Sequence, residues 1–199
     1  MTSIVAISSG LSDPSTTRML ADRLADSVKR QYGDATVDVV SLRELAHDIT
    51  DASLTGFASP RLQTVIDQVV AADGLIVVSP IFKASYPGLF KSFIDALEAD
   101  SLIGKPVLLA ATGGTARHSL AIDHALRPLF AYLQTLVVPT GVFASSYDWG
   151  TDGANALGQR IDRAAAELVS LLKGAGTGRT PTDEFDLFSD TFRSASQPN

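Results

Sequence analysis

A chain of 199 residues, 45% hydrophobic and 19% charged, has room for one domain and a tail but not for two complete cores. It has no cysteine, which removes disulfide scaffolds, thiolate metal sites and cysteine nucleophiles. A formal charge of −6, without a basic run, is unsuited to gripping a nucleic-acid backbone. No apolar stretch reaches the roughly 20 residues that span a membrane. No basic segment precedes the first apolar run, so a cytoplasmic protein is expected.

In chain order, an apolar, β-branched run at 3–8 leads through a hydroxyl-rich loop into a helical pattern at 16–31. Strand-like runs recur at 37–41, 74–79, 106–111 and 136–143, and helical patterns at 60–72, 87–97, 119–133 and 155–173. Several runs are apolar at successive positions, which suits strands buried on both faces. Ser59-Pro60 reads as an N-cap followed by proline at the first helical position. Five strands alternating with five helices predict an α/β fold, a parallel sheet covered on both faces. From Gly174 onward the composition turns to Gly, Thr, Pro, Ser and acids, so a domain at 1–173 and a tail at 174–199 are expected. Phe185, Phe188 and Phe192 would share one face of a short helix in that tail, suited to docking on a neighbouring subunit.

A doubly wound sheet binds its ligand outside the carboxyl ends of its strands, at the topological switch point. Three loops lie there. The first, 8–17, lacks both the glycine spacing of a dinucleotide fingerprint and the Gly-Lys pair of a P-loop. From Ser9 to Thr17 it does carry five hydroxyls, on Ser9, Ser12, Ser15, Thr16 and Thr17, at the start of a helix. One hydroxyl is enough for a cap. The surplus suits a phosphate, which a helix N-terminus favours through free N–H groups and partial positive charge. The second loop is framed by Pro80 and Pro87 and carries Phe82 and Tyr86, an apolar wall for a flat ring or a cover for the sheet end. In the third, Gly113 and Gly114 follow Thr112 and let backbone N–H groups come close to a ligand. Together these loops describe a mononucleotide flavin site.

On the segments 8–17, 79–97 (SPIFKASYPGLFKSFIDAL) and 112–129 (TGGTARHSLAIDHALRPL), with a weaker match at 141–144, the chain resembles the NADPH-dependent FMN reductases. It is most similar to the reductase subunits that supply reduced FMN to alkanesulfonate monooxygenases. The resemblance implies a flavodoxin-like, doubly wound, five-stranded parallel sheet in the order 2-1-3-4-5. It implies FMN and NADPH as cofactors, a homodimer or homotetramer, and a partner FMN-dependent (luciferase-like) monooxygenase. It further implies that Ser9, Ser15, Thr16 and Thr17 hold the FMN phosphate. Pro80, Ile81, Phe82, Lys83 and Ala84 would flank the isoalloxazine, and Thr112, Gly113 and Gly114 would meet its pyrimidine edge. The chain departs from its relatives at Leu11, where many carry arginine, and at Phe82, where tyrosine is common. His124 stands where the alkanesulfonate type has tyrosine.

Hydride transfer to a flavin needs no acid or base from the protein, so no catalytic side chain is expected. The three histidines lack metal-ligand spacing, and no metal is expected either. Arg18, Lys83 and Arg117 are candidates for the 2′-phosphate that separates NADPH from NADH. Two other readings fit the same scaffold, an NAD(P)H quinone or azo reductase and a non-enzymatic flavodoxin-type electron carrier.

One position breaks a local rule. Pro128 sits inside the apolar pattern of the fourth long helix and has no N–H to bond the carbonyl of His124. A kink or an i→i+5 bulge is therefore predicted within 122–128. The resemblance implies that His124 then lies at a subunit interface close to the flavin.

Overall fold

In the computed structural model, which describes residues 1–174, the apolar runs become six strands. These are β1 (Thr2–Ser8), β2 (Ala35–Ser41), β3 (Gly74–Pro80), β4 (Pro106–Gly113), β5 (Leu136–Val137) and β6 (Val142–Ser145). They pair in parallel in the order β2-β1-β3-β4-β5, the expected doubly wound order. The run at 136–143, read as one strand, is two. Pro139 cannot donate to a ladder, and around it the chain leaves the sheet. β5 pairs with Pro106 and Val107, whereas β6 pairs further along β4, from Ala110 to Gly113.

The helices are α1 (Thr16–Tyr32), α2 (Ala46–Thr55), α3 (Pro60–Ala71), α4 (Gly88–Asp95), α5 (Arg127–Tyr132) and α6 (Thr151–Gly174). Side chains of a strand alternate between faces, and the central strands divide their apolar residues accordingly. Ile4, Ala6, Ile76, Val78, Leu108 and Ala110 pack beneath α1 and α6. Val5, Ile7, Leu75, Val77, Val107 and Leu109 pack beneath α2 to α5. Every residue of β3 is buried, as its unbroken apolar run requires.

Ser59 caps α3 as read from the sequence, its Oγ accepting from the N–H of Leu62 at 3.2 Å, with Pro60 in the first turn. Helix α2 is additional to the sequence reading. It buries only Ile49 and Ala52, too thin an apolar stripe to stand out as periodic. Between 119 and 133 there is no single helix. A π-helical turn, Ile122–Leu126, precedes α5, and the Arg127 N–H bonds the carbonyl of Ile122, five residues back. The widened turn falls within the predicted interval, immediately before Pro128.

Of the tail expected at 174–199, everything after Gly174, including Phe185, Phe188 and Phe192, lies outside the described residues. No helix among the described residues is long and apolar enough to cross a membrane.

Candidate active site

The carboxyl ends of β1, β3 and β4 lie side by side, and the loops leaving them build a cleft. At the end of β1 the Ser9 N–H donates to the Val78 carbonyl at 3.0 Å, and the Ser9 hydroxyl donates to the same oxygen at 3.4 Å. Ser9 is fully buried by these contacts. The chain then turns over Gly10, where a Cβ would sit 2.2 Å from the Ser15 Oγ and 2.9 Å from the Thr17 Cβ. Glycine is what lets this loop lie against the first turn of α1. Ser15 is the N-cap, its Oγ accepting from the Arg18 N–H at 3.2 Å. The Thr16 and Thr17 N–H groups, at the first two helical positions, find no acceptor among the described residues. They are a ready anion-binding pair.

After β3, Lys83 and Ala84 take successive left-handed conformations (φ 51° and 69°). Phe82 and Ser85 exchange backbone hydrogen bonds of 2.8 and 3.1 Å across them. This is a two-residue turn of the kind that closes hairpins. Each non-glycine residue there carries about 1 kcal/mol or more of strain. The turn holds Phe82 outward, 49% exposed. Tyr86, considered for the same wall, packs edge-on against Phe90 at 5.5 Å, half-buried against the core.

At the end of β4 the Thr112 carbonyl accepts from the Ile81 N–H at 2.8 Å, and its hydroxyl meets that of Thr17 at 2.8 Å. A Cβ on Gly113 would strike the Phe143 ring at 2.9 Å. A Cβ on Gly114 would meet no protein atom within 4 Å.

These loops enclose a cleft of about 540 Å³, within the range of small-molecule sites. Of the twelve residues anticipated for the cofactor, eight line it: Thr16, Thr17, Pro80, Ile81, Phe82, Thr112, Gly113 and Gly114. The other four stand just outside. Ser9 is buried at the sheet end, Ser15 caps α1, and Lys83 and Ala84 form the turn that carries Phe82.

One wall was missed from sequence. A 3-10 turn, Ser146–Trp149, follows β6 and brings Ser146 and Trp149, the chain's single tryptophan, into the cleft. Its signal was a Ser-Ser-Tyr-Asp-Trp stretch directly after a strand, at the same edge of the sheet as the three loops already singled out. The Arg23 guanidinium stacks over the Trp149 ring at 4.9 Å. Asp148 accepts from the Ser145 N–H (2.9 Å) and hydroxyl (2.6 Å) and from Arg160 of α6 (2.6 Å). Burial alone would push the Asp148 carboxyl up, but the Ser145 and Arg160 bonds outweigh it and hold it below the usual carboxylate range.

The turn also separates the cleft from a second cavity of about 770 Å³. Gly114 lines both, and Ser145, Tyr147 and Asp148 face the second. Among the described residues no cluster of potential ligands would hold a metal ion.

The sequence model of the NADPH-dependent FMN reductases matches residues 2–150. The chain belongs to that family. It is 40% identical to an FMN reductase (NADPH) from Pseudomonas aeruginosa over 175 residues, which is 86% of this chain and 92% of the relative. It is 37% identical to the NADH-dependent FMN reductase SfnE of Pseudomonas putida over 171 residues, 84% of this chain and 91% of the relative. Among solved structures, an oxidoreductase from Corynebacterium diphtheriae superposes with a TM-score of 0.84 at 44% identity, covering 87% of this chain and 98% of that one. The protein is an oxidoreductase of flavodoxin-like fold, with FMN as its flavin and NADPH or NADH as the family's electron donors.

Proposed function

We propose that this FMN reductase takes FMN into the cleft between the 8–17, 80–85 and 112–114 loops, uses NADPH or NADH to reduce it, and hands the reduced flavin to an FMN-dependent (luciferase-like) monooxygenase. The observation that carries the site assignment is the convergence of unlike surfaces in one cleft: free helix N–H groups, an apolar wall and a paired-glycine edge. These residues fit FMN. The Thr16 and Thr17 N–H groups and hydroxyls would hold its phosphate. Pro80, Ile81 and Phe82 would flank the isoalloxazine, and the backbone at Gly113 and Gly114 would approach its polar edge, with open space at Gly114 where a Cβ would otherwise stand.

FMN, when bound, supplies the two-electron chemistry. The protein's part is to hold the ring flat against the Phe82 loop, keep one face open to the nicotinamide, and bind the phosphate with oriented dipoles. Phe82 is half exposed at the cleft mouth, which suits a flavin that leaves after reduction. Release to a partner monooxygenase, a cytoplasmic location and a homodimer or homotetramer are parts of the same reading. So is delivery to an alkanesulfonate-type partner, which rests on the likeness of the 79–97 and 112–129 segments to such reductase subunits.

The test is oxidation of NADPH and of NADH with and without added FMN, followed by gel filtration of the flavin. Turnover that depends on added FMN, with flavin eluting apart from protein, is expected. Equal turnover with a quinone or azo dye and no free FMN would favour the quinone or azo reductase reading instead.

A further inference from the structure

Resting on that reading, we propose that the second cavity takes the adenosine half of the pyridine nucleotide and that Arg117, which follows its lining residue Ala116, reads the 2′-phosphate. A donor whose nicotinamide lies against the flavin cleft must place a second nucleotide nearby. The adjoining hollow, which shares Gly114 with the cleft, is of a size for it, about 770 Å³. Its lining is mixed in the way an adenosine needs. Ile122, Pro139 and Phe143 offer apolar surface to a flat base, and Thr115 and Ser119 bring hydroxyls for a ribose.

The charges lining the cavity are already spent. Arg160 donates to Asp148 at 2.6 Å and to the Phe143 carbonyl at 3.4 Å. Asp123 accepts from Arg127 at 3.0 Å. A phosphate dianion entering this hollow therefore needs a cation from its edge.

Three basic residues were candidates, and their positions differ. Arg18 is tied to Asp22 at 2.9 Å along α1. Lys83 stands on the hairpin turn beside Phe82, on a wall that the second cavity does not share. Arg117 belongs to the 3-10 turn Ala116–His118, next to Ala116 of the cavity lining. It is exposed and makes no ion pair or side-chain hydrogen bond among the described residues. An unpaired guanidinium is the side chain best shaped for a phosphate.

The test is calorimetric titration of the full chain, with FMN bound, using 2′,5′-ADP and 5′-AMP as probes. The 2′-phosphorylated probe should bind at least tenfold more tightly, the scale of one charge-assisted hydrogen bond. Arg117→Ala should abolish that difference, and Arg18→Ala should preserve it. Ser119→Phe, which fills the cavity, should weaken both probes, and quenching of Trp149 by FMN confirms that each variant is folded. In turnover, the ratio of kcat/KM for NADPH over NADH should fall about tenfold in Arg117→Ala. Equal binding of the two probes by the wild type, a preference that survives Arg117→Ala, or probe binding untouched by Ser119→Phe would overturn the proposal. Failure of the reductase reading looks different, because the probes would still bind while neither donor reduced the flavin.

Discussion

Thr17 and Thr112 bring their hydroxyl oxygens to 2.8 Å inside the protein, tying the first turn of α1 to the end of β4. That bond fixes the anion-binding end of the cleft relative to its glycine edge. Thr17→Val deletes it and leaves the buried Thr112 hydroxyl without its partner, at a cost of about 1–2 kcal/mol in stability. Exposed Thr16→Ala should leave the melting temperature nearly unchanged. Each change should weaken FMN binding tenfold or more, as loss of a hydrogen bond to a phosphate does. Titration of the two variants and of their double mutant checks this, and a double mutant that binds FMN like wild type contradicts the placement of the phosphate.

Two glycines in the cleft should fail in opposite ways. Gly10→Ala puts a methyl 2.2 Å from the Ser15 Oγ and 2.9 Å from the Thr17 Cβ, so the N-cap must move. A loss of about 1–3 kcal/mol is expected in denaturant melts. Gly114→Val meets no protein atom near its Cβ. Its stability should stay within about 0.5 kcal/mol of wild type, while FMN affinity falls because the side chain occupies the ligand's space.

The Asp148 carboxyl sits below its ordinary range in the folded protein, so its contribution to stability has a defined sign. The contribution is complete above the unfolded carboxylate value of about 3.9 and is lost as pH falls through the lower folded value. Asp148→Asn should cost about 1–2 kcal/mol at neutral pH, moderated by the 41% exposure of its Arg160 partner. The gap between variant and wild type should close below about pH 4. Because the same clamp holds the turn carrying Trp149, the variant's tryptophan emission should shift at neutral pH.

The π-helical turn at Ile122–Leu126 presents His124 to solvent beside Leu120 (61% exposed), with Tyr132 (80% exposed) on the following helix. Large exposed apolar side chains mark a surface suited to another copy of the chain. His124→Ala should alter assembly in sedimentation, or alter how much FMN remains bound after gel filtration. Unchanged values of both would place His124 outside any interface.

Much of this architecture was legible from residue order. Unbroken apolar runs specified the buried parallel strands β3 and β4, and Pro128 specified where the fourth long helix widens. Pro139 carried equal information about the break between β5 and β6, but the apolar residues on either side of it masked the interruption. Helix α2 escaped because two buried residues, Ile49 and Ala52, make no periodic stripe. In the site, hydroxyl and glycine types identified the loops without assigning each side chain its partner. Ser9 and Ser15 spend their oxygens on Val78 and Arg18, which depends on how the loop packs over Gly10. The Ser146–Trp149 wall depends on β6 ending beside β4, a tertiary fact that local sequence does not carry.

Anaerobic mixing of the FMN-loaded protein with NADPH or NADH bears most directly on the reductase assignment. FMN entering the cleft should first quench Trp149, the chain's single tryptophan, which lines it. One equivalent of donor should then bleach the flavin absorbance completely. Quenching of Trp149 by FMN, followed by a flavin that stays oxidised with both donors, would contradict the assignment and point to an electron carrier.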